Sequence, residues 1–138
     1  MDSLEQAEQR YHAALADFVK GDAGPALQMF SQRDDVVLCN PFYPYAKGPD
    51  EVAKVTGQAA SHFADRTIDF EQVTMFSAAE FGYTVQIERF RAIIDGTEGS
   101  GALRATTIFR LEEDGWRIAH RHADPITTPQ AVGSILQK

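Results

Sequence analysis

Two histidines and an aspartate alternate along residues 115–124, a segment with the composition of a β-strand. Side chains two positions apart share one face of a strand, so His120, His122 and Asp124 are predicted to point the same way as Ile118. Because Ile118 belongs in a core, this face should border an enclosed apolar space. Imidazole gives or takes a proton near neutral pH, so we expect His122 to act as general acid or base. His120 would assist it, and Asp124 would tune the imidazole pKa.

Asn40 precedes Pro41 at the end of a short apolar run. Its amide could polarise a substrate carbonyl across the cavity, and it could equally bond the backbone of its own turn. Aromatic residues beside prolines suit the mouth of a pocket for a flat or terpenoid-like molecule. The residues predicted to contact the ligand are Phe42, Tyr43, Tyr45, Tyr83, Val85 and Thr107.

Two imidazoles and a carboxylate also form the ligand set of a metal-binding facial triad. The His-x-His spacing alone is a weak signal for a metal site, so we expect neither a metal nor another cofactor. The single cysteine, Cys39, excludes an internal disulfide and a thiolate zinc cage.

Composition narrows the class of protein. A chain of 138 residues has the size of one domain, and we expect a single domain over residues 1–138. The formal net charge is −7 and the 13 Lys and Arg are scattered, which argues against a nucleic-acid partner. No apolar run approaches the ~20 residues that cross a membrane. The acidic N-terminus lacks the features of a secretory signal, so a cytoplasmic location is expected.

The chain reads as helices followed by strands. Apolar residues from Leu4 to Phe18 recur at three- and four-residue spacing and predict an amphipathic helix that ends at Gly21. A short helix, a brief strand at 36–39, a loop at 40–45 and a helix from Gly48 to about Phe63 should follow. Strands are predicted near 67–76, 80–94, 101–112 and 115–124, and a short terminal helix near 131–136.

The dipeptides Asp95-Gly96 and Asp114-Gly115 are hairpin signals, so neighbouring strands should be antiparallel. Helices before a meander of long strands predict an α+β fold, in which a curved antiparallel sheet wraps around helices to form a cone with an internal pocket. On the strand near 80–94 we expect Val85 and Ile87 to face one side, and the other side to carry Gln86, Glu88 and Phe90. The mixed outer face would be solvated or paired with a second copy.

Several of these segments, taken together and in order, resemble the SnoaL-like branch of the nuclear-transport-factor-two-like superfamily. The resemblance implies the cone-shaped, cystatin-like α+β roll. That superfamily includes ketosteroid isomerases, polyketide cyclases, epoxide hydrolases, dehydratases and domains that only bind or oligomerise. The segments are a first helix ending in Gly21-Asp22, a second helix with Phe30, the run from Val37 to Pro41, Gly48 before the third helix, and the run from Gly115 to His122.

The resemblance also suggests site residues. Ketosteroid isomerases carry an aspartate base where this chain has Asn40, and oxyanion donors where it has Ala14 and Thr107. The SnoaL-type cyclases carry a His-x-Asp pattern on the last strand, which corresponds here to His120 and His122. Isomerisation by the ketosteroid isomerase mechanism is therefore disfavoured, whereas acid/base chemistry by a histidine is permitted.

The sequence thus predicts a pocket for a small apolar molecule. One hypothesis is a cofactor-free acid/base enzyme, a cyclase, isomerase, dehydratase or hydrolase, that uses His122, His120, Asp124 and Asn40. The alternative is a non-catalytic domain of the same fold that binds a ligand or oligomerises. A homodimer is expected in either case.

Overall fold

The computed structural model describes residues 2–137. Three helices, α1 (Leu4–Phe18), α2 (Gly24–Met29) and α3 (Pro49–Ala60), accompany a six-stranded sheet. A 3₁₀ turn at Val132–Ile135 follows the last strand. The strands are β1 (Val37–Asn40), β2 (Tyr43–Lys47), β3 (Phe63–Ser77), β4 (Phe81–Ile94), β5 (Thr97–Glu112) and β6 (Gly115–Asp124).

The sheet has the strand order β2-β1-β6-β5-β4-β3. Neighbours pair antiparallel except β1 and β6, which are parallel. The sheet is curved, and α1, α2 and α3 cover its concave face, which we call the inner face. The predicted α+β class is therefore confirmed, with one parallel pair that the hairpin signals did not indicate.

Local sequence explains α1. Ser3 accepts a hydrogen bond from the Gln6 backbone amide at 3.2 Å, and the Gln6 side chain accepts one from the Ser3 amide at 2.9 Å, which completes a capping box. The apolar stripe of the helix is buried against the sheet. Gly21, with φ of +96°, lets the chain leave the helix in a left-handed conformation.

Tight turns join the long strands as predicted. Asp95 and Gly96 have φ of +50° and +83°, the left-handed pair that a two-residue hairpin turn needs, and they connect β4 to β5. Gly115, with φ of +121°, begins β6. These glycines lie at the turns that connect β4 to β5 and β5 to β6, two antiparallel pairs.

Two segments differ from the sequence prediction. The predicted loop over 40–45 is shorter, because β2 begins at Tyr43 and pairs with β1 at the edge of the sheet. Pro44 is compatible with this position since an edge strand leaves one side of its backbone unpaired. The predicted terminal helix is only a single exposed 3₁₀ turn. Within residues 2–137, every helix is too short or too polar to span a bilayer.

Candidate functional site

A cavity of about 370 Å³ lies between the helices and the inner face of the sheet. Its volume falls within the range of small-molecule pockets, roughly 300–1,000 Å³. Apolar side chains form most of its wall, and a few polar groups interrupt them. The polar or ionisable residues in the wall are Tyr11, Asn40, Thr56, Glu88 and Arg121.

A buried ion pair occupies the sheet side of this cavity. Glu88 on β4 is 1% exposed and Arg121 on β6 is 7% exposed. The two terminal nitrogens of Arg121 donate to the two carboxylate oxygens of Glu88 at 2.8 and 2.6 Å. The Arg121 guanidinium also lies 5.5 Å from the ring centroid of Tyr11 on α1. Both charges are therefore satisfied within the protein.

The pair holds each partner in its charged form. Burial acts to raise the pKa of Glu88, but the charge and hydrogen bonds of Arg121 outweigh it, so the Glu88 pKa lies below its ordinary value. Burial acts to lower the pKa of Arg121, and the Glu88 carboxylate reverses this and raises it. Burial also raises the pKa of Tyr11, whose hydroxyl stays protonated. At neutral pH all three keep one protonation state.

A polar chain leads from the ion pair toward α1. Gln86 donates to Glu88 at 2.9 Å, and its side-chain oxygen lies 2.9 Å from Nε2 of His12. His12 stacks on Phe70 with ring centroids 3.8 Å apart and lies 3.4 Å from a carboxylate oxygen of Glu8. Burial raises the pKa of Glu8. The chain fixes the Glu88 carboxylate so that it faces Arg121.

A β-bulge changes the orientation of residues along β6. Phe109 and Ile108 are consecutive on β5, yet they pair with Ile118 and His120, so Ala119 is an extra residue without a partner. Ile118 faces the core, and after the bulge Arg121 and Ala123 take the inner positions. The prediction that Ile118 shares a face with the two histidines and Asp124 is therefore wrong.

The two histidines and Asp124 lie on the outer face. Nδ1 of His120 is 2.9 Å from the carbonyl oxygen of Val37. His122 is 53% exposed, and its Nε2 lies 3.2 Å from Asp124. Asp124 accepts two hydrogen bonds from Arg104, at 2.9 and 3.0 Å. Burial acts to raise the Asp124 pKa, but the Arg104 bonds hold it below its usual range.

The other predicted site residues are divided between the cavity and other surfaces. Asn40 and Phe42 line the cavity, and the Asn40 side-chain oxygen accepts from the Phe42 amide at 3.0 Å, the local turn bond that the sequence left open. Tyr43 lines a second cavity of about 360 Å³, which adjoins the first along Phe42 and Phe63. Tyr45 is exposed and borders neither cavity.

The orientation predicted for β4 is also wrong. Thr84, Gln86 and Glu88 occupy its inner face, so Tyr83 and Val85 face outward and do not reach the cavity. Thr107 on β5 is an inner-face residue and is fully buried, but it is not part of the cavity wall. Among residues 2–137, no cluster of three or more His, Cys, Asp or Glu side chains is placed to hold a metal ion.

A family model, described as a SnoaL-like domain, matches residues 4–127. The chain belongs to the SnoaL-like domain family. Among curated proteins, no sequence matches it significantly.

Solved structures share the architecture of this SnoaL-like domain. A ketosteroid isomerase-like protein from Erwinia carotovora atroseptica SCRI1043 is 21% identical, with 91% of this chain and 95% of that chain covered and a TM-score of 0.76. A nuclear transport factor 2-like superfamily protein from Salmonella enterica serovar Typhimurium LT2 is 16% identical, with coverage of 93% and 91% and a TM-score of 0.73.

An NTF2-like protein with a cystatin-like fold, from Novosphingobium aromaticivorans, is 17% identical. The structural match covers 98% of this chain and 92% of that chain, with a TM-score of 0.66. At these identities the likeness concerns the fold, and the cavity chemistry of this SnoaL-like domain has to be argued from its own residues.

Sequence reasoning missed the charged pair of this SnoaL-like domain. Alternation along β4 predicts Glu88 on the outer face together with Gln86, and alternation along β6 predicts Arg121 on the face opposite the histidines. One signal was available: three consecutive inward positions of β4, Thr84, Gln86 and Glu88, are polar, a pattern that indicates either a solvated face or a buried network. Only the position of Arg121 decides between the two.

Proposed function

We propose that this SnoaL-like domain binds a small, mostly apolar molecule in its central cavity. The observation that carries the proposal is the buried pair of Glu88 and Arg121 in the wall of an otherwise apolar cavity. Pockets for small molecules combine an apolar lining with a few fixed polar groups that orient the ligand. The ion pair, held by Gln86 on one side and Tyr11 on the other, has that character.

Binding is better supported than proton transfer. A general acid or base works best when its pKa is close to the working pH, and the pKa shifts of Glu88, Arg121 and Tyr11 all move away from neutrality. No histidine is among the described residues that line the cavity. The polar groups of the wall are therefore suited to orienting a ligand, and a catalytic contribution of Asn40 stays a prediction.

Filling the cavity should abolish binding. Ala59 on α3 lines the cavity, whereas Ala53 on the same helix is exposed. We expect Ala59→Trp to weaken binding of an uncharged, environment-sensitive dye such as Nile red by at least about tenfold, because the indole takes the ligand's volume. Ala53→Trp is the matched control and should bind like the wild type. Fluorescence titration measures both, and equal affinities for the two variants would refute cavity binding.

The outward histidines should be dispensable for binding. We expect His122→Ala and His120→Ala to leave the dye affinity within about twofold of the wild type. Neither ring lines the cavity, and a substitution distant from a binding site usually has little effect on its affinity. The same titration checks this prediction. A loss of tenfold or more in His122→Ala would instead mean that the imidazole reaches the ligand.

We also propose that the chain forms a homodimer through the outer face of the sheet. Phe76 and Tyr83 stack there with centroids 5.7 Å apart, and both are substantially exposed. Val85 and Ile108 continue this apolar strip across β4 and β5, next to Tyr83. An exposed apolar strip on a sheet commonly marks a protein interface.

A cytoplasmic location stays a prediction from the sequence.

Placing a charge in this strip should separate the subunits. We expect Val85→Glu to shift the wild-type dimer to monomer, because a carboxylate at the centre of an interface would be desolvated without a partner. Ala53→Glu, on the exposed face of α3, serves as the control and should stay dimeric. Analytical ultracentrifugation distinguishes the species. A wild-type protein that sediments as a monomer at tens of micromolar would refute the dimer.

A further inference from the structure

Thr56 carries a hydroxyl that has no hydrogen-bond partner within residues 2–137. The residue is only 5% exposed and forms part of the cavity wall. A threonine inside a helix ordinarily donates to the carbonyl four residues earlier, and the Thr56 hydroxyl makes no such bond. Buried polar atoms are seldom left unpaired, so a partner from outside the protein is the simplest account.

The charges in the cavity wall limit what that partner can be. Glu88 and Arg121 are the charged groups among the described lining residues, and they cancel. An anionic ligand would lose its hydration, meet no net positive charge and approach the Glu88 carboxylate. Burying an uncompensated carboxylate is strongly unfavourable. An uncharged acceptor avoids that repulsion.

Donors for an uncharged acceptor are available. An arginine has five N–H groups, and the pair uses one from each terminal nitrogen of Arg121. The phenol of Tyr11, in the same wall, stays protonated. A ketone, aldehyde or ester oxygen could therefore accept a hydrogen bond in the cavity, and the apolar remainder of the molecule would contact the aliphatic and aromatic lining.

We infer that the cavity selects an uncharged carbonyl compound over the carboxylate of the same shape, and that the Thr56 hydroxyl is one of the groups that binds its oxygen. This inference rests on the proposed binding function and specifies its ligand class. Thr107 provides a matched comparison: its buried hydroxyl also has no hydrogen-bond partner among residues 2–137, yet the residue lies outside the cavity wall.

Three rigid probes of nearly equal shape test the inference: 2-acetylnaphthalene, 2-naphthoate and 2-ethylnaphthalene. We expect the ketone to bind at least about tenfold more tightly than the carboxylate at neutral pH, since a desolvated carboxylate lacks a net compensating charge. The ketone should also bind more tightly than the hydrocarbon by about three- to tenfold, the contribution of about one hydrogen bond. Equilibrium dialysis or NMR titration gives the dissociation constants.

Thr56→Val removes the hydroxyl and keeps the branched shape. This variant should bind the ketone about three- to tenfold more weakly, to the level of the hydrocarbon, and leave hydrocarbon binding unchanged. Its melting temperature without ligand should equal or exceed that of the wild type, because an unpaired hydroxyl has been removed. Thr107→Val should show the same thermal behaviour and retain the wild-type preference for the ketone.

The outcomes separate the two proposals. If the ketone and the hydrocarbon bind, a carboxylate that binds as tightly as the ketone refutes the ligand class, and a Thr56→Val variant that keeps the ketone preference refutes the role of Thr56; cavity binding stands in both cases. If the ketone and the hydrocarbon both fail to bind the wild type, cavity binding of such molecules is refuted, and the ligand class falls with it. A loss of ketone preference in both valine variants would refute the specific role of Thr56.

Discussion

Arg121→Met should lower the free energy of unfolding by about 3–5 kcal/mol, because it leaves the Glu88 carboxylate buried without its partner. Both side chains are almost fully buried, so the remaining carboxylate would be largely desolvated. Chemical denaturation at neutral pH measures the change. Replacing both residues, as in Glu88→Leu with Arg121→Met, should recover most of the loss, since a buried pair and an apolar pair of similar volume differ little in stability.

A surface pair provides the control for this prediction. Arg89 and Glu71 are 2.6 Å apart on the outer face, and both side chains are largely exposed. Arg89→Met should change the free energy of unfolding by less than about 1 kcal/mol, because water solvates the remaining carboxylate. If Arg121→Met proved as mild as Arg89→Met, Glu88 would have to be accessible to water.

Phe109→Ala should lower the free energy of unfolding by a similar amount, about 3–5 kcal/mol. Phe109 is completely buried, and its ring packs edge-on against Tyr11 with centroids 6.4 Å apart. Tyr11 in turn packs against Phe30 at 6.5 Å. Truncation would leave a void under α1 and remove the support of a cavity residue. Chemical denaturation again gives the magnitude.

Dye binding should report the second effect of this substitution. We expect the affinity of Phe109→Ala for Nile red to fall as well, because Tyr11 loses the ring on which it packs. Tyr45→Ala, an exposed aromatic at the edge of the sheet, should change stability by less than about 1 kcal/mol and leave dye binding unaltered. Similar stability losses in both variants would contradict the core described for this chain.

The fold was predictable because its signals are local. The stripe from Leu4 to Phe18, the Pro49 start of α3 and the Asp95-Gly96 turn each act within a few residues, and each is present in the structure. The strand β2 is not predicted because its own residues carry no strand signal. Its sequence, Tyr43–Lys47, contains a proline and reads as a loop, and only pairing with β1 at the sheet edge makes it a strand.

The site was less predictable because its determinants are distant in sequence. The inward orientation of Glu88 depends on Arg121, which lies 33 residues away. Val85 and Ile87 are apolar, so the alternation of β4 favours them as the inner residues; in the structure both face outward instead. A local pattern determines that two faces differ, whereas long-range partners determine which face is inside.

The bulge at Ala119 could not be predicted because the sequence carries no signal for it. Alanine is compatible with a regular strand and with a bulge, and nothing in the neighbouring residues distinguishes the two. Strand parity therefore predicts the faces of β6 up to Ile118 and fails beyond the bulge. The polar residues it brought inward are the ones that the structure places outside.

The extra residue Ala119 determines which side chains of β6 face inward beyond Ile118. Removing that single residue would give a regular strand with Ile118, Arg121 and Ala123 still facing inward, whereas a regular strand that kept Ala119 would turn His120, His122 and Asp124 inward. A one-codon deletion at Ala119 would thus leave the charge-neutral lining in place, and it is the bulge around the extra residue that keeps the imidazoles out of the cavity. An alignment with a relative that lacks the extra residue therefore needs a one-residue gap at the bulge, since omitting that gap would equate residues with opposite orientations beyond Ile118.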